Sequence, residues 1–180
     1  MRVITGSARG VRLKTPEGMD TRPTTERVKE ALFSAIQFEI EGRRVLDLFA
    51  GSGQLGIEAL SRGASEAVFV DTSKASVQLI RENLKRTKLA ERAQVVHSDY
   101  LTFLQRQRQK FGLIFLDPPY AAQDLEKSLA AISEFDILSS GGIIVTERPK
   151  GKQLNFDAPG YCRPRDYGFG MSLVTLFRKE

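Results

Sequence analysis

The chain has 180 residues, of which 41% are hydrophobic and 27% charged, a composition typical of one globular domain with a full core. It contains no apolar run of the roughly 18 to 20 residues that a membrane span requires, and its start does not resemble a signal peptide, so we expect a cytoplasmic protein without a membrane partner. The single cysteine, Cys162, and the single histidine, His97, argue against a disulfide framework, a metal site and Ser-His-Asp hydrolysis.

The N-terminal residues predict a short hairpin that carries positive charge. Residues 3–5 and 11–13 are strand-like and flank a glycine-containing turn. Residues 1–16 contain four basic side chains and no acid, and the whole chain has a net charge of +5. We therefore expect an exposed basic ribbon and a polyanionic partner such as a nucleic acid.

A helix is predicted after this ribbon. Apolar residues recur at helical spacing from Val28 to Ile36, and the preceding Thr24 and Thr25 are candidate N-cap residues. The pattern indicates one amphipathic helix that ends near Gly42.

From residue 44 the pattern changes to strands that alternate with helices. Five apolar runs predict strands at residues 45–49, 67–71, 94–97, 113–116 and 143–146. Such alternation indicates βαβ crossovers and a mainly parallel sheet with helices on both faces. Residues 161–165 and 172–177 follow each other without a helix and predict a C-terminal antiparallel hairpin. We expect an α/β fold in one domain, residues 1–180, made of an extension (1–42) and a core (43–180).

A glycine pattern follows the first predicted strand. Gly51, Gly53 and Gly56 form a G-x-G-x-x-G sequence that opens a helix, where backbone N–H groups can approach a bound nucleotide closely. On its own this pattern is equally consistent with a structural turn. Asp71 ends the next strand, where its carboxylate could accept the two hydroxyls of a ribose. Together they predict a nucleoside site.

Asp47 distinguishes between two nucleoside cofactors. It lies four residues before Gly51, where an acid would repel the pyrophosphate of NAD but attract the ammonium group of S-adenosylmethionine. Ser98, Asp99 and Tyr100 follow the third strand and offer an acceptor and a ring edge to adenine. The acids end consecutive parallel strands and therefore lie on one rim of the sheet. The charges favour S-adenosylmethionine.

The fourth predicted parallel strand ends in a different motif, Asp117-Pro118-Pro119-Tyr120. The Asp117 carboxylate and the Pro118 carbonyl could accept the hydrogens of an exocyclic amine on a base, directing its lone pair towards a methyl donor. Tyr120 could stack on the base. Alignment of the reacting atoms could supply up to about 7–11 kcal/mol. A strand terminated by a simple proline turn is the alternative interpretation.

These motifs resemble those of class I S-adenosylmethionine-dependent amino methyltransferases, which implies a Rossmann-like fold with a seven-stranded sheet. The resemblance implies that the cofactor contacts are Asp47, Phe49, Ala50, Gly51, Ser52, Gly53, Asp71, Thr72, Ser98, Asp99 and Tyr100, and the catalytic residues Asp117, Pro118, Pro119 and Tyr120.

A narrower resemblance extends over nearly the whole chain. Residues 22–33 (RPTTERVKEALF) and Tyr167-Gly168 with Leu173 resemble the RsmD family, bacterial enzymes that methylate the N2 amine of a guanine in small-subunit ribosomal RNA. Membership implies a monomer that acts on RNA in an assembling small subunit. The candidate RNA contacts are Arg9, Arg12, Lys14, Arg22 and Thr24.

Two other functions remain open at this stage. The Asp-Pro-Pro-Tyr motif is shared with enzymes that methylate adenine or cytosine amines in DNA. A non-catalytic RNA-binding assembly factor could also retain the fold. Arg22 and Thr24 could be only a surface charge and a helix cap, and His97 and Cys162 are interpreted as structural.

Overall fold

The structure, a computed structural model, describes residues 1–16, 23–118, 121–151 and 154–180. Its helices are α1 (Pro23–Ala35), α2 (Gln54–Ser61), α3 (Lys74–Thr87), α4 (Tyr100–Arg106) and α5 (Ala121–Glu134), with a 3-10 turn at Ala90–Arg92. Its strands are β1 (Arg44–Leu48), β2 (Glu66–Asp71), β3 (Ala93–His97), β4 (Phe111–Leu116), β5 (Leu138–Pro149), β6 (Arg165–Phe169) and β7 (Ser172–Arg178).

The predicted α/β architecture is confirmed. The seven strands form one sheet in the order β3-β2-β1-β4-β5-β7-β6. The strands β1 to β5 pair with one another in parallel, whereas β7 pairs antiparallel with both β5 and β6. The carboxyl ends of the parallel strands consequently share one edge of the sheet.

Alternating residues of the central strands pack on opposite faces of the sheet. Val45 and Leu113 belong to one buried cluster, whereas the next residues along each strand, Leu46 and Ile114, belong to the other. All four are fully buried, and each such side chain stabilises the fold by about 1.5–3 kcal/mol. Because both faces are covered, these strands appear in the sequence as continuous apolar runs.

The prediction that the first helix continues to Gly42 is wrong, because α1 ends at Ala35. Ile36 and Ile40 are buried and continue the apolar spacing that suggested a longer helix. The chain instead turns at this point, and the Glu39 carboxylate binds Arg178 of β7 at 2.6 Å. A tertiary ion pair thus replaces the last helical turn.

The C-terminal hairpin exists, but its first strand lies later in the chain than predicted. It spans Arg165–Phe169, and Tyr161 forms only an isolated bridge with Lys179. The pairing of Phe169 with Ser172 leaves a two-residue turn at residues 170–171, the commonest hairpin connection. As a partly exposed edge strand, Arg165–Phe169 lacks the apolar run that would have identified it.

The basic segment of residues 1–16, called here the N-terminal ribbon, is folded back on itself and attached to α2. It contains one bridge, between Arg2 and Arg12, rather than two regular strands. The buried Glu58 carboxylate in α2 accepts hydrogen bonds from the backbone N–H groups of Ile4 (2.8 Å) and Thr5 (3.0 Å). It also lies 3.3 Å from the Lys29 ammonium group, and this ion pair is buried.

None of the helices in the described ranges is long and apolar enough to cross a bilayer.

Candidate active site at the carboxyl ends of the parallel strands

The four predicted acids lie along one edge of the sheet. Asp47 is the fourth residue of β1, Asp71 the last of β2, and Asp99 begins α4 after β3. Asp117 follows β4 directly. The register pairs Asp47 with Phe69 of β2 and Phe115 of β4, so the strand ends are level. The structure therefore brings these side chains to one rim, as the sequence predicted.

The turn after β1 has an unusual backbone. Phe49, Gly51 and Gly53 all have positive φ angles, of 73°, 56° and 77°. Gly53 is confined further, because an added Cβ would lie 3.2 Å from Ile80. Phe49 was predicted as the last residue of the strand, but instead it adopts the left-handed conformation, which costs about 1–2 kcal/mol in a non-glycine residue. A hydrogen bond of 3.1 Å from its N–H to the Val70 carbonyl holds it there.

Asp71 fixes this turn. One carboxylate oxygen accepts the Gly51 N–H at 2.8 Å, and the other accepts the Ser73 N–H at 2.8 Å. Each oxygen has a second lone pair, which leaves it able to accept a hydroxyl from a ligand. The same side chain can thus shape the glycine turn and bind a ribose beside it.

Asp47 is almost entirely buried, with 2% of its surface exposed. Loss of hydration raises its pKa to about 7, although a hydrogen bond of 2.9 Å from the Gly56 N–H opposes this effect. The charges of Asp117 and Asp71 also contribute to this raised pKa. The carboxylate anchors the first turn of α2, and a cation placed near it would favour its ionised form.

The end of β3 supplies a capped helix and an aromatic contact. Asp99 caps α4 by accepting the Thr102 N–H at 2.9 Å, and this bond holds its pKa below the usual value. The Tyr100 ring packs on Phe49, with ring centroids 5.3 Å apart. These contacts join the end of β3 to the turn after β1.

Neighbouring backbone groups complete this region. The Ser98 hydroxyl donates to the Asp99 carbonyl, and the His97 ring lies 2.8 Å from the carbonyl of Thr72. The imidazole therefore has a backbone partner, which fits its structural interpretation. Ala50 and Ser52, the remaining candidates, are buried in the turn after β1.

Asp117 lies at the rim with access to solvent. Protein atoms nevertheless surround its carboxylate, and the resulting loss of hydration, together with the nearby charge of Glu147, raises its pKa to about 6. Pro118 is partly buried beside it. Pro119 and Tyr120 lie outside the described residues, so the predicted stacking role of Tyr120 remains a prediction.

A cleft opens beside Asp117, between the sheet and helices α1 and α2. Its lining includes the apolar residues Val28, Leu55 and Val145 and the polar residues Gln54, Asp117 and Glu147. Gln54 follows Gly53 directly, so the cleft adjoins the glycine turn. Apolar walls with a few polar groups are typical of sites for planar ligands.

Two polar residues of this cleft were missed in the sequence. The Gln54 side-chain oxygen is buried there without a hydrogen-bond partner among the described residues. Glu147 lies within β5, two residues before its end. A signal for Glu147 existed, since it follows the predicted strand 143–146 directly, just as Asp117 follows 113–116.

The candidate RNA contacts are only partly described. Arg9 and Arg12 are exposed on the N-terminal ribbon. Lys14 is exposed too, but its ammonium group lies 2.7 Å from the Glu82 carboxylate. Arg22 and the side chain of Thr24 lie outside the described part of the structure. Of the three candidate contacts on the described ribbon, Arg9 and Arg12 therefore offer free positive charge, whereas the charge of Lys14 is paired.

In the ranges that the structure covers, no three His, Cys, Asp or Glu side chains are grouped so that they could bind a metal ion.

Comparisons with known proteins agree with this geometry. The family described as "Conserved hypothetical protein 95" matches residues 1–178. A Bacillus subtilis protein named "Putative rRNA methyltransferase YlbH" is 41% identical over the full length of both chains. The Escherichia coli (strain K12) protein named "Ribosomal RNA small subunit methyltransferase D" is 37% identical, covering 100% of this chain and 90% of its own.

A solved structure extends the similarity to three dimensions. The structure titled "Putative methyltransferase yhhF from Escherichia coli" superimposes with a TM-score of 0.89 at 31% identity. The match covers 100% of this chain and 98% of that one. The similarity therefore includes the N-terminal ribbon and the C-terminal hairpin as well as the central sheet.

Proposed function

This chain belongs to the "Conserved hypothetical protein 95" family, and we propose that, as an S-adenosylmethionine-dependent rRNA methyltransferase of that family, it methylates the N2 amine of a guanine in small-subunit ribosomal RNA. Membership confirms the resemblance predicted from the motifs.

The observation that carries the proposal is the position of Asp117 in a partly apolar cleft that adjoins the glycine turn. A carboxylate there can accept a hydrogen from an amine whose ring lies between the apolar walls. The cofactor turn and the base cleft are then neighbours, as transfer between two bound molecules requires.

The residues at the rim fit S-adenosylmethionine, which supplies an electrophilic methyl group when it is bound. Asp71 retains lone pairs for the ribose hydroxyls, and the backbone at Gly51 and Gly53 allows close approach of the ligand. Asp47 would face the ammonium group, whose positive charge compensates a buried carboxylate. Phe49, Ala50, Ser52, Thr72, Ser98, Asp99 and Tyr100 would complete the cofactor contacts.

Asp117 would act by orientation and electrostatics. Its carboxylate and the Pro118 carbonyl accept the two hydrogens of the amine, which directs the nitrogen lone pair towards the methyl carbon. The new nitrogen–carbon bond forms as the sulfur–carbon bond breaks, and the nitrogen then carries a positive charge. Since the pKa of Asp117 is about 6, its carboxylate is ionised at neutral pH and can accept the proton that the amine releases. Pro119 and Tyr120 complete the motif.

Small-subunit ribosomal RNA as the substrate is supported by the name of the Escherichia coli relative and by the exposed arginines of the ribbon. Guanine as the target base follows from the resemblance of residues 22–33 to the RsmD family. Positive charge that is not paired with acids favours contact with phosphates. We propose further that the protein acts as a monomeric single domain on an assembling small subunit.

The test is methyl transfer by Asp117→Ala. Wild-type protein should transfer labelled methyl groups to small subunits that lack the modification, whereas Asp117→Ala should lose at least about 100-fold in kcat. Its affinity for the cofactor, measured by calorimetry, should remain within about threefold. Glu134→Gln, an exposed acid at the end of α5, serves as the matched control and should be fully active.

Two results would contradict the proposal. Full activity of Asp117→Ala would remove this residue from the reaction. Transfer by the wild type to DNA adenine or cytosine but not to ribosomal RNA, or cofactor binding without any transfer, would replace the proposed reaction with one of the alternatives.

A further inference from the structure

Glu147 is the neighbour of Asp117 on the adjacent strand. The parallel register of β4 and β5 pairs Leu116 with Thr146, so the next residues of the two strands, Asp117 and Glu147, are side by side. Paired residues on adjacent parallel strands point to the same face, with backbones about 5 Å apart. Both side chains line the same cleft.

The cleft contains hydrogen-bond acceptors that the chain itself does not use, although one cation, Lys29, also lines it. The Lys29 ammonium group is engaged elsewhere, since it donates to the Arg2 carbonyl at 2.8 Å and lies 3.3 Å from the Glu58 carboxylate. Within the described ranges, no hydrogen bond or ion pair reaches the Glu147 carboxylate, and the buried Gln54 side-chain oxygen also lacks a donor. Two neighbouring carboxylates repel each other, and the charge of Glu147 indeed disfavours ionisation of Asp117. An arrangement of this kind is stabilised by a ligand that presents several N–H donors side by side.

The bases differ in what they present next to their exocyclic amine. In guanine, the ring nitrogen N1 beside the N2 amine carries a hydrogen and is a donor. In adenine and cytosine, the ring nitrogen beside the amine is unprotonated and is an acceptor. A second carboxylate beside Asp117 would pair with the donor of guanine and repel the acceptor of the other two bases.

We propose that Glu147 is a specificity-determining residue that accepts the N1–H of the target guanine while Asp117 and Pro118 accept its N2 hydrogens. This inference rests on the proposed function, since it explains why that site would select guanine. Glu147 selects the base, and Asp117 positions the reacting amine. The apolar walls from α1, α2 and β5 contact the ring without distinguishing one base from another.

The test compares guanine with 2-aminopurine at the methylated position of the RNA. 2-Aminopurine keeps the 2-amine and the purine ring, but its N1 is unprotonated. Wild type, Glu147→Gln and the control Glu134→Gln are assayed for kcat/KM on both substrates with labelled S-adenosylmethionine. Glutamine has nearly the size of glutamate, and its amide can donate to an unprotonated N1.

Wild type and Glu134→Gln should prefer guanine by about 100-fold, the discrimination expected when a buried acceptor is left unpaired. The kcat/KM of Glu147→Gln should fall about 10- to 100-fold on guanine and should not fall on 2-aminopurine. Its preference for guanine should therefore be below about tenfold. Because 2-aminopurine also lacks the O6 oxygen, the change in preference between proteins is the informative quantity. Thermal melting and cofactor affinity should be unchanged in Glu147→Gln.

The outcomes separate the inference from the function on which it rests. Wild-type transfer to guanine with an unchanged preference in Glu147→Gln would overturn the role of Glu147 alone. An equal loss on both substrates would show a structural role and would also overturn it. Absence of wild-type transfer to guanine would overturn the proposed function, and the inference with it.

Discussion

Asp47 is a carboxylate whose burial lowers the free energy of unfolding when the group is ionised. Its pKa is raised from 3.8 to about 7, so in this pH range the folded chain binds a proton that the unfolded chain has released. The free energy of unfolding of the ligand-free protein therefore falls as pH rises from about 4 to about 7. A buried carboxylate of this kind is expected where a bound cation stabilises its ionised form.

Asp47→Asn should accordingly separate stability from binding. The amide oxygen can still accept the Gly56 N–H, but the side chain cannot ionise. At pH 8 the free energy of unfolding, measured by urea denaturation, should be roughly 2–4 kcal/mol higher in the variant than in the wild type. At pH 4 the difference should nearly vanish. Its affinity for S-adenosylmethionine should fall at least about tenfold. Lower stability at pH 8 would contradict this account of Asp47.

Asp117 sets the predicted pH dependence of transfer. Its pKa is about 6 and the reaction uses the ionised form, so activity is lost as pH falls through this value. At saturating S-adenosylmethionine, where Asp47 is held ionised by the cofactor, the kcat/KM of the wild type for RNA should be constant above about pH 7 and should fall about tenfold per pH unit well below 6. An acidic limb near pH 4, the range of an unperturbed aspartate, would contradict the prediction.

Among the secondary-structure elements, helix α2 connects the candidate active site to the N-terminal ribbon. Its first turn is held by Asp47, and Glu58 in the same helix binds the ribbon through two backbone N–H groups. Glu58 is fully buried, and its charge is balanced by Lys29 and Arg62. Burial lowers the pKa of Lys29, whereas Glu58 raises it. The ion pair therefore supports the ribbon rather than the chemistry.

Glu58→Ala should destabilise the protein and release the ribbon. Removing one member of a buried ion pair leaves an uncompensated charge, which costs about 3–5 kcal/mol. Urea unfolding should show this loss, and limited proteolysis should cleave within residues 1–16 faster than in Glu134→Ala. Stability within about 0.5 kcal/mol of the wild type would show that Glu58 does not hold the ribbon.

The elements differ in how well the sequence predicts them. The strands at the centre of the sheet are buried on both faces, and their apolar runs located them within a few residues. β5 extends beyond its apolar run to Pro149, which is why Glu147 was missed as part of the rim. β6 is defined by its pairing with β7, and partly exposed residues such as Asp166 and Gly168 carry no local strand signal.

In the molecule as a whole, the N-terminal ribbon carries exposed positive charge, and we propose that this charge contacts RNA. Arg9 and Arg12 are exposed, whereas Lys14 is paired with Glu82. Counterion release makes affinity fall with salt in proportion to the number of phosphates contacted. Arg9→Ala and Arg12→Ala should each reduce the slope of log K against log salt by about 0.7–0.9, and Lys14→Ala should change it less. Equal slopes in the wild type and the three variants would contradict a contact between these ribbon residues and RNA.

The predicted acids lie along one rim because parallel strands place their carboxyl ends at the same edge of the sheet, whatever the conformation of the loops between them. Asp47, Asp71 and Asp117 could therefore be assigned to one site from the sequence. The left-handed backbone of Phe49 could not be predicted from the sequence, because it depends on a hydrogen bond from the Phe49 N–H to the carbonyl of Val70 in another strand. The cleft could not be predicted either, since its walls come from α1, α2 and β5.

Methyl transfer to the N2 amine of guanine in small-subunit RNA is tested by mass spectrometry of nucleosides digested from small subunits after incubation with the protein and labelled S-adenosylmethionine. We expect label in N2-methylguanosine with wild-type protein and none with Asp117→Ala. Label in N6-methyladenosine or N4-methylcytidine instead would contradict this expectation.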